Sequence, residues 1–91
     1  AVRGLTMASA RELGPFGIRV NAIAPGLIFT ETIREELPPE MVKGVMAQQI
    51  LPIEGEERDI VEAMLYLVSE QARFVSGETL RVSAGLSMSI G

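Results

Sequence analysis

Cysteine, histidine and tryptophan are all missing from this chain, and it has a single tyrosine, Tyr66, and a single lysine, Lys43. Without cysteine there is no disulfide and no thiolate nucleophile. Without histidine the usual zinc sites and the commonest acid/base side chain are gone as well. Aromatics make up only 4% of residues against 47% apolar, so any core must be aliphatic, and the chain is too apolar for a disordered tail. The net charge of −4 comes without a basic patch, which excludes the electrostatic footprint of a nucleic-acid binder. No apolar run reaches the roughly 20 residues of a membrane-spanning helix, and no charged-then-apolar leader opens the chain. The absence of cysteine is compatible with a reducing compartment, and the expectation is a cytoplasmic protein with neither nucleic acid nor membrane as partner.

What is present organises around Gly17 to Thr30, Gly-Ile-Arg-Val-Asn-Ala-Ile-Ala-Pro-Gly-Leu-Ile-Phe-Thr. Ile18, Val20 and Ala22 alternate with Arg19, Asn21 and Ile23, which predicts a strand over Ile18–Ile23. It is mostly apolar on both faces, as a parallel strand covered by helices would be. Pro25 cannot donate to a ladder and Gly26 permits a turn, so the strand is expected to stop there and open into a loop. Open α/β sheets place their ligands at such carboxyl ends.

Upstream, Ala1–Leu13 is rich in helix formers, with Val2, Leu5, Ser9 and Leu13 at three- and four-residue steps, and Gly14-Pro15 is expected to end the helix. No N-cap precedes Val2, so the expectation is that residues 1–91 are a single partial domain belonging to a longer protein. Downstream, Thr30 or Thr32 caps a short amphipathic helix that closes at Pro38-Pro39, and a second short helix runs from Pro39 to about Gln49. Glu56, Glu57 and Asp59 crowd the first turn of the longest helix, expected over Glu56–Ala72 with Ile60, Val61, Met64, Leu65, Leu67 and Val68 on one broad apolar face. Gly77 marks a turn, Thr79–Val82 a second strand, and Leu86, Met88 and Ile90 punctuate the tail. Helix, strand, two short helices, helix, strand is a strand–helix–strand crossover, which pairs its strands in parallel.

The carboxylates at Glu35-Glu36 and Glu54-Glu56-Glu57-Asp59 have no histidine beside them. They read as solvated faces or a helix-dipole run, so no metal site is expected. Pro25-Gly26 followed by Thr30 reads, on turn statistics, as a plain turn. The same loop also offers unpaired backbone groups and a hydroxyl, so a binding role stays open beside it.

Taken with Gly4-Leu5-Thr6, Arg11-Glu12-Leu13-Gly14 and Ser76-Gly77-Glu78-Thr79-Leu80, the Gly17–Thr30 stretch resembles the C-terminal third of a short-chain dehydrogenase/reductase. The resemblance implies an α/β fold, the C-terminal part of a Rossmann-like doubly wound parallel sheet. It implies NAD or NADP as cofactor, an alcohol or carbonyl as small-molecule substrate, and a homo-oligomer. Enzymes of the 3-oxoacyl-carrier-protein reductase and sugar or polyol dehydrogenase kinds share the pattern. By the same resemblance Pro25, Gly26, Ile28 and Thr30 form a cofactor-binding wall. The Pro25-Gly26 turn approaches the nicotinamide, Ile28 meets its carboxamide through the backbone, and Thr30 adds a hydroxyl. The family's catalytic tyrosine and lysine, four residues apart, and its glycine-rich phosphate turn have no counterpart in these residues, so no catalytic residue is assigned and the chain alone is expected to be inactive. Asn21 is read as structural. The alternative is a truncated, non-catalytic chain acting only as a self-association or interaction module. Two departures stand out: Leu51-Pro52-Ile53-Glu54-Gly55 where the family often carries Pro-x-Gly-Arg, and Val82-Ser83-Ala84-Gly85 where it usually runs Val-Asp-Gly-Gly.

Overall fold

A computed structural model describes residues 1–86, so Met88 and Ile90 of the tail lie outside the described residues. The order is α1 (Val2–Leu13), β1 (Ala22–Pro25), α2 (Glu31–Glu36), α3 (Pro39–Gln48), α4 (Glu57–Val68) and β2 (Thr79–Val82). Short 3₁₀ turns follow α1 at Gly14–Phe16 and α4 at Glu70–Ala72. β1 and β2 form a parallel pair with Ala22 opposite Thr79 and Pro25 opposite Val82. That is the crossover the element order requires, and the fold is the expected α/β one.

The first strand sits lower along the sequence than the alternation implied. Pairing begins at Ala22, not Ile18, because residues 19–21 engage the segment around Leu67–Glu78 by other means. Arg19 reaches across with its guanidinium: Nη1 donates to the Leu67 carbonyl at 2.7 Å and to Val75 at 3.4 Å, and Nη2 donates to Ser69 at 3.2 Å. Leu67 lies in the last turn of α4, where carbonyls have no intrahelical partner and the dipole favours a cation. Arg19 therefore works as a C-terminal cap supplied from another element. Asn21 closes a second clamp, its Nδ2 donating to Val75 O at 3.0 Å and its Oδ1 accepting from Glu78 N–H at 3.1 Å. Between them, Val20 donates its N–H to Ser76 Oγ and accepts from Gly77 N–H. Regular ladder geometry starts only once the Gly77 turn, at φ 76°, has brought the second strand alongside.

The helix ends also differ in detail from expectation. Gly14 stays right-handed (φ −54°) and leads into the 3₁₀ turn, and Gly17 takes the left-handed position at φ 76°. The extra turn arises because Pro15, with its fixed φ, suits the start of a new helical turn better than an abrupt stop. The side of α1 that leans on the sheet carries Thr6, Ser9 and Ala10, whereas Val2 and Leu5 are exposed. α4 stops at Val68 rather than Ala72 because Ser69 adopts an extended conformation (φ −86°, ψ 166°).

The core is small: Phe29, Leu67 and Ala72 are its buried apolar residues. Ile60 is half-buried near Leu67 on the sheet-facing side of α4, while Leu65 is 61% and Val68 75% exposed. Met41 and Met64 are exposed too. The broad apolar face of α4 is thus only partly used within these residues.

Replacing Arg19 by methionine keeps the length and removes the clamp. Charged hydrogen bonds contribute about 1.5–3 kcal/mol each, and the α4 carbonyls would lose their partner, so Arg19→Met is expected to lower stability by at least about that much. Urea titration of the parent and variant chains checks it, and equal midpoints would show the clamp to be incidental.

Candidate functional site: the loop at the end of the first strand

Pro25 is the last residue of β1, and its missing N–H costs nothing there, because the strand's other edge is unpaired among the described residues. Gly26 donates its N–H to Val82 O at 3.0 Å, one step beyond the paired residues. A Cβ at Gly26 would lie 2.8 Å from Ser83 Cα and 2.9 Å from Ser83 Cβ. What demands glycine here is the approach of the β2 backbone, and no left-handed φ is involved. Pro25 itself is exposed, while Gly26 and Leu27 are half-buried.

The loop then makes a single parallel bridge between Ile28 and Gly55. Phe29 donates its N–H to Gly55 O at 2.8 Å, and the residue is buried, 6% exposed. Adjacent residues of extended backbone turn their polar groups to opposite sides, so Ile28 directs its own N–H and C=O away from Gly55. Thr30 N–H donates to that Ile28 carbonyl at 3.1 Å, which still leaves it a second lone pair. Thr30 is the N-cap of α2, its Oγ1 accepting from Ile33 N–H at 3.2 Å. A hydroxyl engaged this way keeps its own proton to donate elsewhere.

Pro25, Gly26, Ile28 and Thr30 therefore share one short segment at the carboxyl end of β1. Behind it lies a cavity of about 220 Å³ bounded by Leu27, Ile28, Leu51, Gly55, Val82 and Ser83. A wider depression of about 690 Å³ opens at the opposite end of the strands, by Arg11, Gly17, Arg73 and Glu78. Ligands of open α/β sheets bind at the carboxyl ends of strands, so the loop's end has the better claim, on the side away from Gly55 to which Ile28 turns its backbone groups. Phe29 and Gly55 are the residues that sequence reasoning missed. The signal available was a lone aromatic in an aromatic-poor stretch, directly before a helix cap.

The remaining candidates are placed elsewhere. Asn21 is taken up by its backbone clamp. Asp59 Oδ2 accepts from Glu56 N–H at 2.8 Å, holding the start of α4, and Glu54 pairs with Arg34. Tyr66 is on α4 and Lys43 on α3.

This arrangement has close counterparts. The family model for enoyl-(acyl carrier protein) reductase matches residues 1–87. The chain belongs to the short-chain dehydrogenase/reductase family. This family comprises NAD(P)-dependent oxidoreductases with a Rossmann fold. Among the relatives, a 3α-hydroxysteroid dehydrogenase from Mediterraneibacter gnavus is 46% identical over 82 residues, covering 90% of this chain and 32% of that protein. A 3-oxoacyl-(acyl-carrier-protein) reductase from Staphylococcus aureus is 37% identical over 87 residues, covering 96% and 35%. Among solved structures, the 3-oxoacyl-(acyl-carrier protein) reductase from Brucella melitensis superposes with a TM-score of 0.90 at 36% identity, over 96% of this chain and 32% of that one. A 4-hydroxyisoleucine dehydrogenase complexed with NADH and succinate gives 0.84 at 37% identity, over 96% and 35%. This short-chain dehydrogenase/reductase chain thus spans about a third of the length of the relatives it matches.

Two glycine substitutions separate a close-packed position from an open one. Gly26→Val must displace the Ser83 backbone, and overpacking of this kind costs about 1–3 kcal/mol or more. Nothing lies within 4 Å of a Cβ at Gly44 in α3, so Gly44→Ala is expected to stabilise by up to about 1 kcal/mol. Thermal melts of both variants decide it, and a Gly26→Val chain as stable as the parent would remove the close-packing argument.

Proposed function

We propose that this chain forms the nicotinamide-facing wall and substrate cover of an NAD(P)-dependent oxidoreductase that interconverts secondary alcohols and ketones. The observation that supports it most is the loop itself, with backbone donor and acceptor at Ile28 turned away from Gly55 and a hydroxyl proton at Thr30 still to give. A carboxamide presents one acceptor oxygen and a two-proton donor, which is the complement of that set. NAD or NADP therefore fits the residues present. Bound there, the nicotinamide would supply or accept a hydride.

The part of this chain is to hold and orient. Ile28 would take the carboxamide through its backbone, Thr30 would add its hydroxyl, and Pro25-Gly26 would let the ring come close to the strand end. The segment carrying α2 and α3 would cover the substrate and exclude water. Proton transfer falls to groups outside these residues, by resemblance a tyrosine with a lysine four residues on.

The relatives support the substrate class: 3-oxoacyl, 3α-hydroxysteroid and 4-hydroxyisoleucine, as named, all carry the ketone or secondary alcohol. They are named as oxidoreductases, which favours this reading over a purely self-associating module. A homo-oligomeric, cytoplasmic enzyme accompanies it as part of the same proposal.

Thr30 allows a sharp test, because its two roles come apart by substitution. Thr30→Ser keeps cap and proton, Thr30→Asp keeps the cap without a proton to donate, and Thr30→Val loses both. Loss of a cap costs about 0.5–2 kcal/mol, so only Thr30→Val should melt lower. Loss of one hydrogen bond, about 0.5–1.5 kcal/mol, should weaken NADH binding by the complete reading frame roughly two- to tenfold in both Thr30→Asp and Thr30→Val. Fluorescence titration with NADH reads this. Parental affinity in Thr30→Asp would make Thr30 a helix cap and nothing more. The reading also expects a Tyr-x-x-x-Lys in the coding sequence upstream of Ala1, and its absence there would overturn it.

A further inference from the structure

Neither α2 nor α3 packs extensively against the sheet or against α4, so the segment they form is held mainly at its two ends. At the far end Ile50 and Leu51 both donate N–H groups to the Ala84 carbonyl, at 2.9 and 3.0 Å. At the near end several contacts coincide. The guanidinium of Arg34, in α2, lies over the buried Phe29 ring with its carbon 5.4 Å from the centroid, within cation–π range. The same guanidinium is ion-paired with Glu54, the residue before Gly55, whose carbonyl holds Phe29 N–H. Gly55 has no room for a side chain: a Cβ would meet the Leu27 carbonyl at 2.9 Å.

We propose that Arg34 and Glu54 form a latch that clamps α2 onto the connector, with Phe29 beneath it, and so fixes the position of the Ile28–Thr30 loop. Both are positioning residues, and neither touches the cofactor in this account. Their consequence for binding rests on the function proposed above, but the latch does not. Opening it requires Arg34 to leave both the ring and the carboxylate, after which the Ile28–Gly55 bridge, with its Phe29 N–H to Gly55 O hydrogen bond, is what ties the loop to the connector. Both side chains are substantially exposed, so the contribution is modest and sensitive to salt.

Hydrogen–deuterium exchange across residues 27–36, read without cofactor, tests the latch directly. In Glu54→Gln and in Arg34→Gln the Phe29 amide is expected to exchange about threefold faster or more, from loss of the ion pair and, in the second, the ring contact. Because both act through one contact, the double variant should be no faster than Arg34→Gln alone. Raising the salt to 1 M should speed exchange in the parent and bring it level with Glu54→Gln. Unchanged exchange in the single variants, or additive effects in the double, would overturn the proposal. A salt-independent parent would do so even if a variant folded poorly. Because the readout needs no NADH, its failure is separable from that of the cofactor reading, which the Thr30 series judges.

Discussion

The parallel contact between β1 and β2 is the constraint on which the rest depends. Four residue pairs, Ala22–Thr79 to Pro25–Val82, bring distant segments together, and the ladder continues into Gly26, whose missing side chain lets Ser83 approach. The pairing is reinforced outside the ladder. Arg19 and Asn21 carry the chain up to β1 while holding the end of α4 and the approach to β2 by their carbonyls. A polar clamp at one end and a glycine contact at the other fix the register, and a slip of one residue would lose both.

Register in turn determines the loop. With Gly26 against Ser83, the chain leaves the sheet at a set point, meets Gly55 through one bridge, and turns into α2 at Thr30. The backbone groups of Ile28 face away from the bridge as a consequence of extended geometry, not of any special side chain. On the cofactor reading proposed above the recognising atoms are largely main-chain, so the sequence needs only a small residue where backbones cross and a cap where the helix begins.

Much of this was legible in the residues, for physical reasons that also explain the exceptions. α3 and β2 were readable because their limits are set locally, by Pro39 at a first turn and by the Gly77 turn before β-branched residues. The cap of α2 was narrowed to Thr30 or Thr32 for the same reason, and it is Thr30. β1 was placed too early because Arg19 and Asn21 fit the outward positions of an alternating strand; their actual partners, Leu67 to Glu78, lie about fifty residues away and leave no local trace. The same holds for Phe29 and Gly55. Gly26 was rightly singled out, but for a turn conformation, whereas the demand comes from Ser83 across the sheet.

The central claim is that these residues form a sheet edge and helix faces meant to be covered by more of the same fold. A radius of gyration of 15.4 Å, against roughly 12 Å for a compact chain of this length, and the exposed Val61, Leu65 and Val68 of α4 agree with that. A two-stranded sheet gives little independent stability, and the edge of β1 that is unpaired among the described residues is a template for another chain. Sedimentation velocity of the 91-residue chain over a range of concentrations tests this most directly. The account expects concentration-dependent self-association; a monodisperse monomer with a sharp, cooperative melt would contradict it.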